Sequence, residues 1–228
     1  MSKNLFITGT GTDIGKTYVT GLILKKFQEH KKNAAYYKAA MSGNKRDKNG
    51  NLIPEDAFFV KTISQIAQPL DEMCPYIYET AVSPHLAAKI EENPLELEYV
   101  LEKFDSLAQQ YDYVTIEGSG GIVCPLRFDS KKIALMDFIK ARNFNCLIVA
   151  DAGLGTINSI VLTTEYMKAH HIPIEGIIFN HYQPDNLMHN DNLYLCEAIT
   201  KQKVLACVQT GDTQLNLPFS QLEALYQA

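Results

Sequence analysis

Short, unbroken apolar runs recur along the chain, and between them apolar residues fall three and four apart. The runs are Leu5–Thr8, Ala34–Lys38, Tyr113–Glu117, Cys146–Ala150, Gly176–Asn180 and Val204–Val208. Continuous rather than alternating apolar character belongs to strands covered on both faces, as in a parallel sheet. The helical spacing covers Lys16–His30, Asp56–Ile66, Leu95–Gln110, Leu135–Ala141, Ile157–His170 and Asp191–Thr200. Strand and helix therefore alternate, which predicts an α/β fold in three layers. A mostly parallel sheet is flanked by helices and joined by right-handed crossovers. No repeat, low-complexity tract or linker divides the 228 residues, so residues 1–228 are expected to form one domain.

A sheet of that kind binds ligands beyond the carboxyl ends of its strands, so the polar residues after each run carry the chemistry. After the first run the chain reads Gly9-Thr10-Gly11-Thr12-Asp13-Ile14-Gly15-Lys16-Thr17, and an apolar-periodic stretch begins at Tyr18. A glycine-rich turn between strand and helix wraps backbone N–H groups round phosphates, and the helix N-terminus adds positive potential. Lys16 is placed to reach the β- and γ-phosphates of a nucleoside triphosphate, and the Thr17 hydroxyl to ligate Mg²⁺. The common spacing G-x-x-x-x-G-K-[ST] needs a glycine at position 10, where this chain has Thr10. Counted from Gly9 the loop is one residue longer than that, and counted from Gly11 one residue shorter. A dinucleotide loop is the competing assignment, but its third glycine comes one residue late here and Lys16–Thr17 have no role in it.

Lys38 ends the second run, and Ser42–Gly43 follow it. A cation there faces the same crevice as Lys16, and two lysines around one phosphate suit phosphoryl transfer. A surface lysine at a strand end is the plainer alternative. Glu117 ends the third run and leads into Gly118-Ser119-Gly120-Gly121. A carboxylate behind Val114-Thr115-Ile116 is costly to desolvate without a cation, which makes Glu117 a candidate metal ligand; a helix cap is the alternative. Asp56 sits where a helix N-cap belongs, and the residues alone favour the cap. Thr12 and Ser42 are orienting groups for a polar substrate or simply turn residues. The fourth run leads into Asp151-Ala152-Gly153-Leu154-Gly155-Thr156, and the fifth ends at Asn180–His181.

Composition narrows the partners. The formal charge of −5, with Lys and Arg dispersed, argues against nucleic acid. Five cysteines without a C-x-x-C fit a reducing compartment better than a disulfide scaffold. The N-terminus runs straight into a strand and a glycine loop rather than a signal peptide, and no apolar run approaches a membrane span. The expectation is a cytoplasmic protein without a membrane partner.

Taken in order, these pieces resemble the dethiobiotin synthetase family. The likeness rests on Gly9–Thr17 with its long loop spacing, Tyr37–Lys38 with Ser42–Gly43, and Glu55-Asp56-Ala57. It continues through Ser83-Pro84-His85, Glu117–Gly121 with Pro125–Leu126, and Gly155-Thr156-Ile157-Asn158. The resemblance implies a P-loop NTPase-like fold and an ATP- and Mg²⁺-dependent carboxylation and ring closure of 7,8-diaminopelargonate. One amine captures CO₂ as a carbamate, a carbamate oxygen attacks the γ-phosphate, and the second amine displaces phosphate to close the cyclic urea. It implies Lys16, Lys38 and Thr12 as the catalytic set, with Thr12 and Ser42 on the carbamate and diamine. It also implies Thr17, Asp56 and Glu117 on Mg²⁺. Nucleotide contacts fall to Asp13, Ile14, Gly15, Lys16, Thr17, Tyr18, Asp56, Glu117, Gly118, Ser119, Gly120 and Asn180. Family members are homodimers, with the substrate carboxylate at a helix N-terminus from the partner. Gly155, Thr156 and Asn158 suit that role, although on sequence alone a plain strand-to-helix turn is as good a reading.

The chain departs from the family in places. Asn180 is followed by His181 rather than the usual acid, the proline after the sixth run is missing, and only the short segment Phe219–Tyr226 closes the chain. These departures predict weaker discrimination between nucleotide bases. The family's tyrosine near the substrate carboxylate falls in the stretch around Asp191–Tyr194, where no single residue is assigned. His85 is expected to cap the helix that follows it. The alternative reading is a partitioning or septum-type switch ATPase, an interaction protein. Those proteins carry a second lysine early in the loop, and positions 9–14 hold none.

Overall fold

The computed structural model describes residues 2–228. Six parallel strands form the central sheet in the order β10 (Val204–Cys207), β9 (Ile174–Asn180), β8 (Cys146–Asp151), β1 (Lys3–Gly9), β5 (Tyr113–Glu117), β2 (Ala34–Tyr37). The chain lays down β1, steps to the edge as β2, returns between them as β5, and then builds outward on the other side. The direction reverses at β1, so a crevice opens beyond its carboxyl end, between β5 and β8. Register decides what meets there. Ile7 pairs with Glu117, and Gly9 pairs with Val149, so the first loop leaves the sheet beside the Glu117 carboxylate.

The continuous apolar runs have the expected cause. Leu5 and Ile7 face one core, with Leu22, Phe27 and Val60 of helices α1 (Lys16–Glu29) and α2 (Glu55–Ser64). Phe6, between them in sequence, faces the other core. There it packs edge-on against Phe138 of α5 (Leu135–Ala141), at 6.1 Å between ring centres. Helices α4 (Leu97–Ala108), α6 (Thr156–Ala169) and α7 (Leu187–Thr200) cover the same face. The three-layer α/β architecture is thus as the pattern predicts.

Edge strand β2 is closed by a side chain. The Gln68 amide accepts from Tyr36 N–H at 2.7 Å and donates to Tyr36 C=O at 2.9 Å, standing in for a neighbouring strand. Elements too short to show a period were not predicted. They are the pair β3 (Ala40–Met41) and β4 (Tyr76–Ile77), helix α3 (Pro84–Ile90), and the antiparallel pair β6 (Pro125–Phe128) and β7 (Lys132–Ala134). Helix α7 begins at Leu187 rather than Asp191, because Asn186 caps it by accepting from Met188 N–H and His189 N–H. After β10 the tail runs along α1, where Lys25 and Lys26 donate to the carbonyls of Thr213 and Leu215, and ends in α8 (Phe219–Ala224). Among the described residues, no helix is long and apolar enough to cross a membrane.

Candidate active site

The loop between β1 and α1 turns through two left-handed residues, Asp13 at φ 57° and Gly15 at φ 86°. Only glycine fits at 15: a Cβ there would lie 2.0 Å from Asn180 Nδ2. Lys16 is buried and curls back to donate to the Gly11 carbonyl at 2.7 Å. Burial first, and then the like charge of Lys38, lower its pKa to about 8.

Beside the loop lies a cluster of opposite charges. Lys38 Nζ donates to Asp56 Oδ2 at 2.6 Å and to Glu117 Oε1 at 2.7 Å. Thr17 donates to the same Glu117 oxygen at 2.8 Å, and the Tyr36 hydroxyl donates to Oε2 at 3.0 Å. Glu117 is 1 % exposed and therefore has its counter-charge and both oxygens occupied. Burial alone would lower the Lys38 pKa, but the carboxylates of Glu117 and Asp56 outweigh it and the net shift is upward. Burial likewise pushes Asp56 up, and the Lys38 ammonium more than reverses that. Lys38 is therefore held charged.

The structure corrects the cap reading of Asp56. The N-cap of α2 is Pro54, and a distant side chain serves the helix end: Asn44 Oδ1 accepts from Glu55 N–H at 3.0 Å. Asp56 is thereby left for Lys38. Glu117 caps no helix either. The expectation for His85 also changes, because α3 starts from Ser83 with no side-chain cap and His85 Nδ1 is buried without a partner.

Two carboxylates and a hydroxyl meeting at one point suit Mg²⁺, which takes one or two protein carboxylates and completes its shell with phosphate and water. No group of three or more His, Cys, Asp or Glu side chains forms a metal cage among the described residues. The donor set of Thr17, Asp56 and Glu117 thus fits a cation that arrives with a polyphosphate rather than one held by protein alone.

A cavity of about 560 Å³ opens from this cluster. Thr12, Asp13, Lys38, Ser42, Asp56, Ser119 and Gly120 line it. Ser42 Oγ donates to the Val82 carbonyl at 2.6 Å and Ser119 Oγ to the Ala40 carbonyl at 2.8 Å, so both hydroxyls also tie their loops together. Gly118 packs where a Cβ would press on Leu135 and Phe6, at 2.9 and 3.0 Å. Cys124 joins the lining and Tyr36 the cluster, neither of them foreseen. Strand periodicity offered a sign for Tyr36, which lies two residues before Lys38 and so on the same side.

Gly155, Thr156 and Asn158 do not line that cavity. They open α6, where Gly155 is left-handed at φ 90°, Thr156 Oγ1 is buried without a partner, and the preceding Leu154 is 92 % exposed. Asn180 reaches the phosphate loop instead, its Nδ2 donating to the Ile14 carbonyl at 3.0 Å. Tyr18, in the first turn of α1, donates to the Asp212 carbonyl of the tail. Tyr194 lies exposed on α7. All five cysteines are free thiols, four of them buried.

Residues 3–214 match the protein family described as AAA domain. A protein of Brachyspira hyodysenteriae, named ATP-dependent dethiobiotin synthetase BioD, is 44 % identical over 228 residues, all of both chains. One of the same name from Clostridium kluyveri is 46 % identical over 207 residues, 90 % of this chain and 85 % of its own. The Brachyspira relative is matched to its full length, so a short tail is not peculiar to this chain. Among solved structures, a plasmid partition protein from Borrelia burgdorferi superposes with a TM-score of 0.57 at 13 % identity, over 98 % of this chain and 96 % of its own. A ParA family ATPase from Chlorobium tepidum gives 0.53 at 12 %, over 91 % and 83 %. Likeness at that identity is likeness of fold alone, and it carries no argument for the switch-ATPase alternative.

Proposed function

The chain belongs to the dethiobiotin synthetase family, and from that premise we propose that it carboxylates 7,8-diaminopelargonate and closes the ring to dethiobiotin at the expense of ATP. The observation that carries the residue assignment is Lys38, buried and charged between Asp56 and Glu117, opening onto a substrate-sized cavity beside Lys16. The triphosphate lies in the loop Asp13–Tyr18. Lys16 leaves the Gly11 carbonyl for the β- and γ-phosphates. Lys16 carries its charge at a cost in the ligand-free protein, and a phosphate relieves that cost.

Thr17, Asp56 and Glu117 would hold Mg²⁺, which would offset the charge of the phosphates. Thr12 and Ser42 orient the diamine and its carbamate. The carbamate oxygen is held in line with the γ-phosphorus and takes the phosphoryl group as the bond to ADP breaks and ADP leaves; the second amine then attacks the carbamate carbon of the mixed anhydride, losing a proton and expelling phosphate. Lys38 offers a fixed positive charge to the carbamate and to the transferring phosphoryl group, so the rate comes from positioning and charge neutralisation. Gly118, Ser119 and Gly120 form the wall beside the nucleotide, and Asn180 holds the loop from behind.

The diamine's carboxylate meets Gly155, Thr156 and Asn158 of a second copy, which makes the working unit a homodimer of single-domain chains. Two features support this. These residues lie outside the cavity of their own chain, and Leu154 and Leu162 are 92 % and 61 % exposed. Free thiols and the net charge of −5 support a cytoplasmic enzyme with small-molecule substrates and no nucleic-acid partner.

The test is phosphate release from ATP with Mg²⁺, with and without the diamine and bicarbonate. Release that requires both, with dethiobiotin identified by mass, supports the reading. Release indifferent to both and stimulated by DNA or lipid vesicles would make the protein a switch ATPase.

A further inference from the structure

Behind the phosphate loop, two further side chains join Asn180 in a relay that the proposed chemistry leaves without a role. Asn180 Nδ2, besides donating to the Ile14 carbonyl at 3.0 Å, lies 3.2 Å from His181 Nε2. His181 Nδ1 lies 2.6 Å from Asp151 Oδ2, and Asp151 Oδ1 accepts from Gly153 N–H at 2.7 Å. The parallel register of β8 and β9 places Asp151 opposite Asn180.

Hydrogen-bond chemistry assigns the protons. An amide nitrogen has no lone pair to accept with, so Asn180 must donate and His181 Nε2 must be bare. The proton of the neutral ring then sits on Nδ1, where the Asp151 carboxylate accepts it. The relay runs one way, from a carboxylate that selects the tautomer, through a ring that accepts from an amide, to an amide that anchors Ile14. A second proton on the ring sets N–H against N–H at 3.2 Å. The amide then has to turn, which presents its oxygen to the Ile14 carbonyl and breaks the anchor. His181 and Asp151 are half-exposed, so solvent protons reach the ring.

We propose that His181, oriented by Asp151, is a positioning residue for the phosphate loop: its neutral ring holds the Asn180 amide that anchors Ile14, and its protonation loosens the triphosphate site. This rests on the reading that the loop binds ATP. Of the titratable groups nearby, Asp151 on β8 meets the ring directly, and His189 on α7 acts on Asp151 and lies beside Tyr182. His189 is buried, with Nδ1 accepting from Gln183 N–H at 3.1 Å. From the phosphate loop, the group sharing the amide is the uncharged Ile14 carbonyl.

The test compares wild type with His181→Asn. Residue 181 has φ 55°, a conformation that asparagine tolerates and alanine does not, so the backbone is kept. Affinity for a non-hydrolysable ATP analogue with Mg²⁺ is measured between about pH 5 and 8, where histidine titrates. KM and kcat follow in the full reaction. At neutral pH the variant should bind roughly fivefold more weakly, the net worth of one hydrogen bond, with kcat at saturating ATP within about twofold. Wild type should lose affinity toward acid relative to the variant; the nucleotide's own titration is common to both and cancels in the ratio.

Asp151→Asn keeps an acceptor for Nδ1–H and so the same tautomer, and its affinity at neutral pH should stay within about twofold of wild type. Parallel pH profiles for all three proteins, or an effect on kcat alone, would overturn the proposal while leaving the ATP site intact. Failure of wild type to bind the analogue at any pH would overturn the nucleotide reading and this proposal with it.

Discussion

At the scale of single residues, the site rests on a balance of charge around the buried Lys38 and Glu117. Lys38, Asp56 and Glu117 are affordable there because each meets an opposite charge within 2.7 Å. Lys38→Ala should lower turnover by on the order of 10², the cost of one transition-state charge contact, with ATP binding mostly kept. The unfolding midpoint is read alongside, since the change also strips Glu117 of its buried counter-charge. Near-normal turnover would remove Lys38 from the mechanism.

Lys16 makes a second prediction. Its pKa lies near 8 in the ligand-free protein, and bound phosphate favours the charged form. ATP binding should therefore take up a proton above about pH 8, and affinity should fall as pH rises through that value. Calorimetry in buffers of different ionisation enthalpy measures the uptake, and none at pH 9 would contradict the assignment. Lys38, Glu117 and Lys16 could be picked out from strand ends and loop spacing. Asp56 was hidden, because a residue at the start of a helix looks like a cap until Asn44, eleven positions before Glu55, is seen accepting from the Glu55 N–H.

At the scale of elements, strands and long helices follow from periodicity, whereas short pieces follow from side chains that satisfy particular backbone groups. Asn186 starts α7 early, and Gln68 closes the edge of β2. Gln68→Ala should leave Tyr36 N–H and C=O buried without partners and destabilise the fold by about 2 kcal/mol. Urea unfolding measures it, and a loss below about 0.5 kcal/mol would mean that water or another group replaces the amide. Because Tyr36 also donates to Glu117, the same variant should raise KM for ATP more than a remote change of equal stability.

At the scale of the whole molecule, the proposed shared site takes its nucleotide and carbamate end from one chain, whose own α6 N-terminus does not line that cavity. Leu154→Asp should shift the protein toward monomer in sedimentation and raise KM for the diamine tenfold or more, a loss of about 1.4 kcal/mol. KM for ATP should change little. A monomeric wild type with full activity would refute the shared site. The weaker base discrimination expected from His181 is checked by comparing ATP with other triphosphates in the full assay.

Periodic apolar runs and a glycine-rich loop were enough for the α/β layers and the phosphate loop, because solvent exclusion and backbone conformation act locally and leave their mark in spacing; the family likeness needed the ordered motifs from Gly9 to Asn158. Only the fold decided that Ile7 stands beside Glu117, that Asn44 frees Asp56 for Lys38, and that Asp151 and His181 meet behind the loop. Those pairings join residues far apart in sequence, and it is strand register and the turn of the sheet at β1 that bring them within reach of a hydrogen bond.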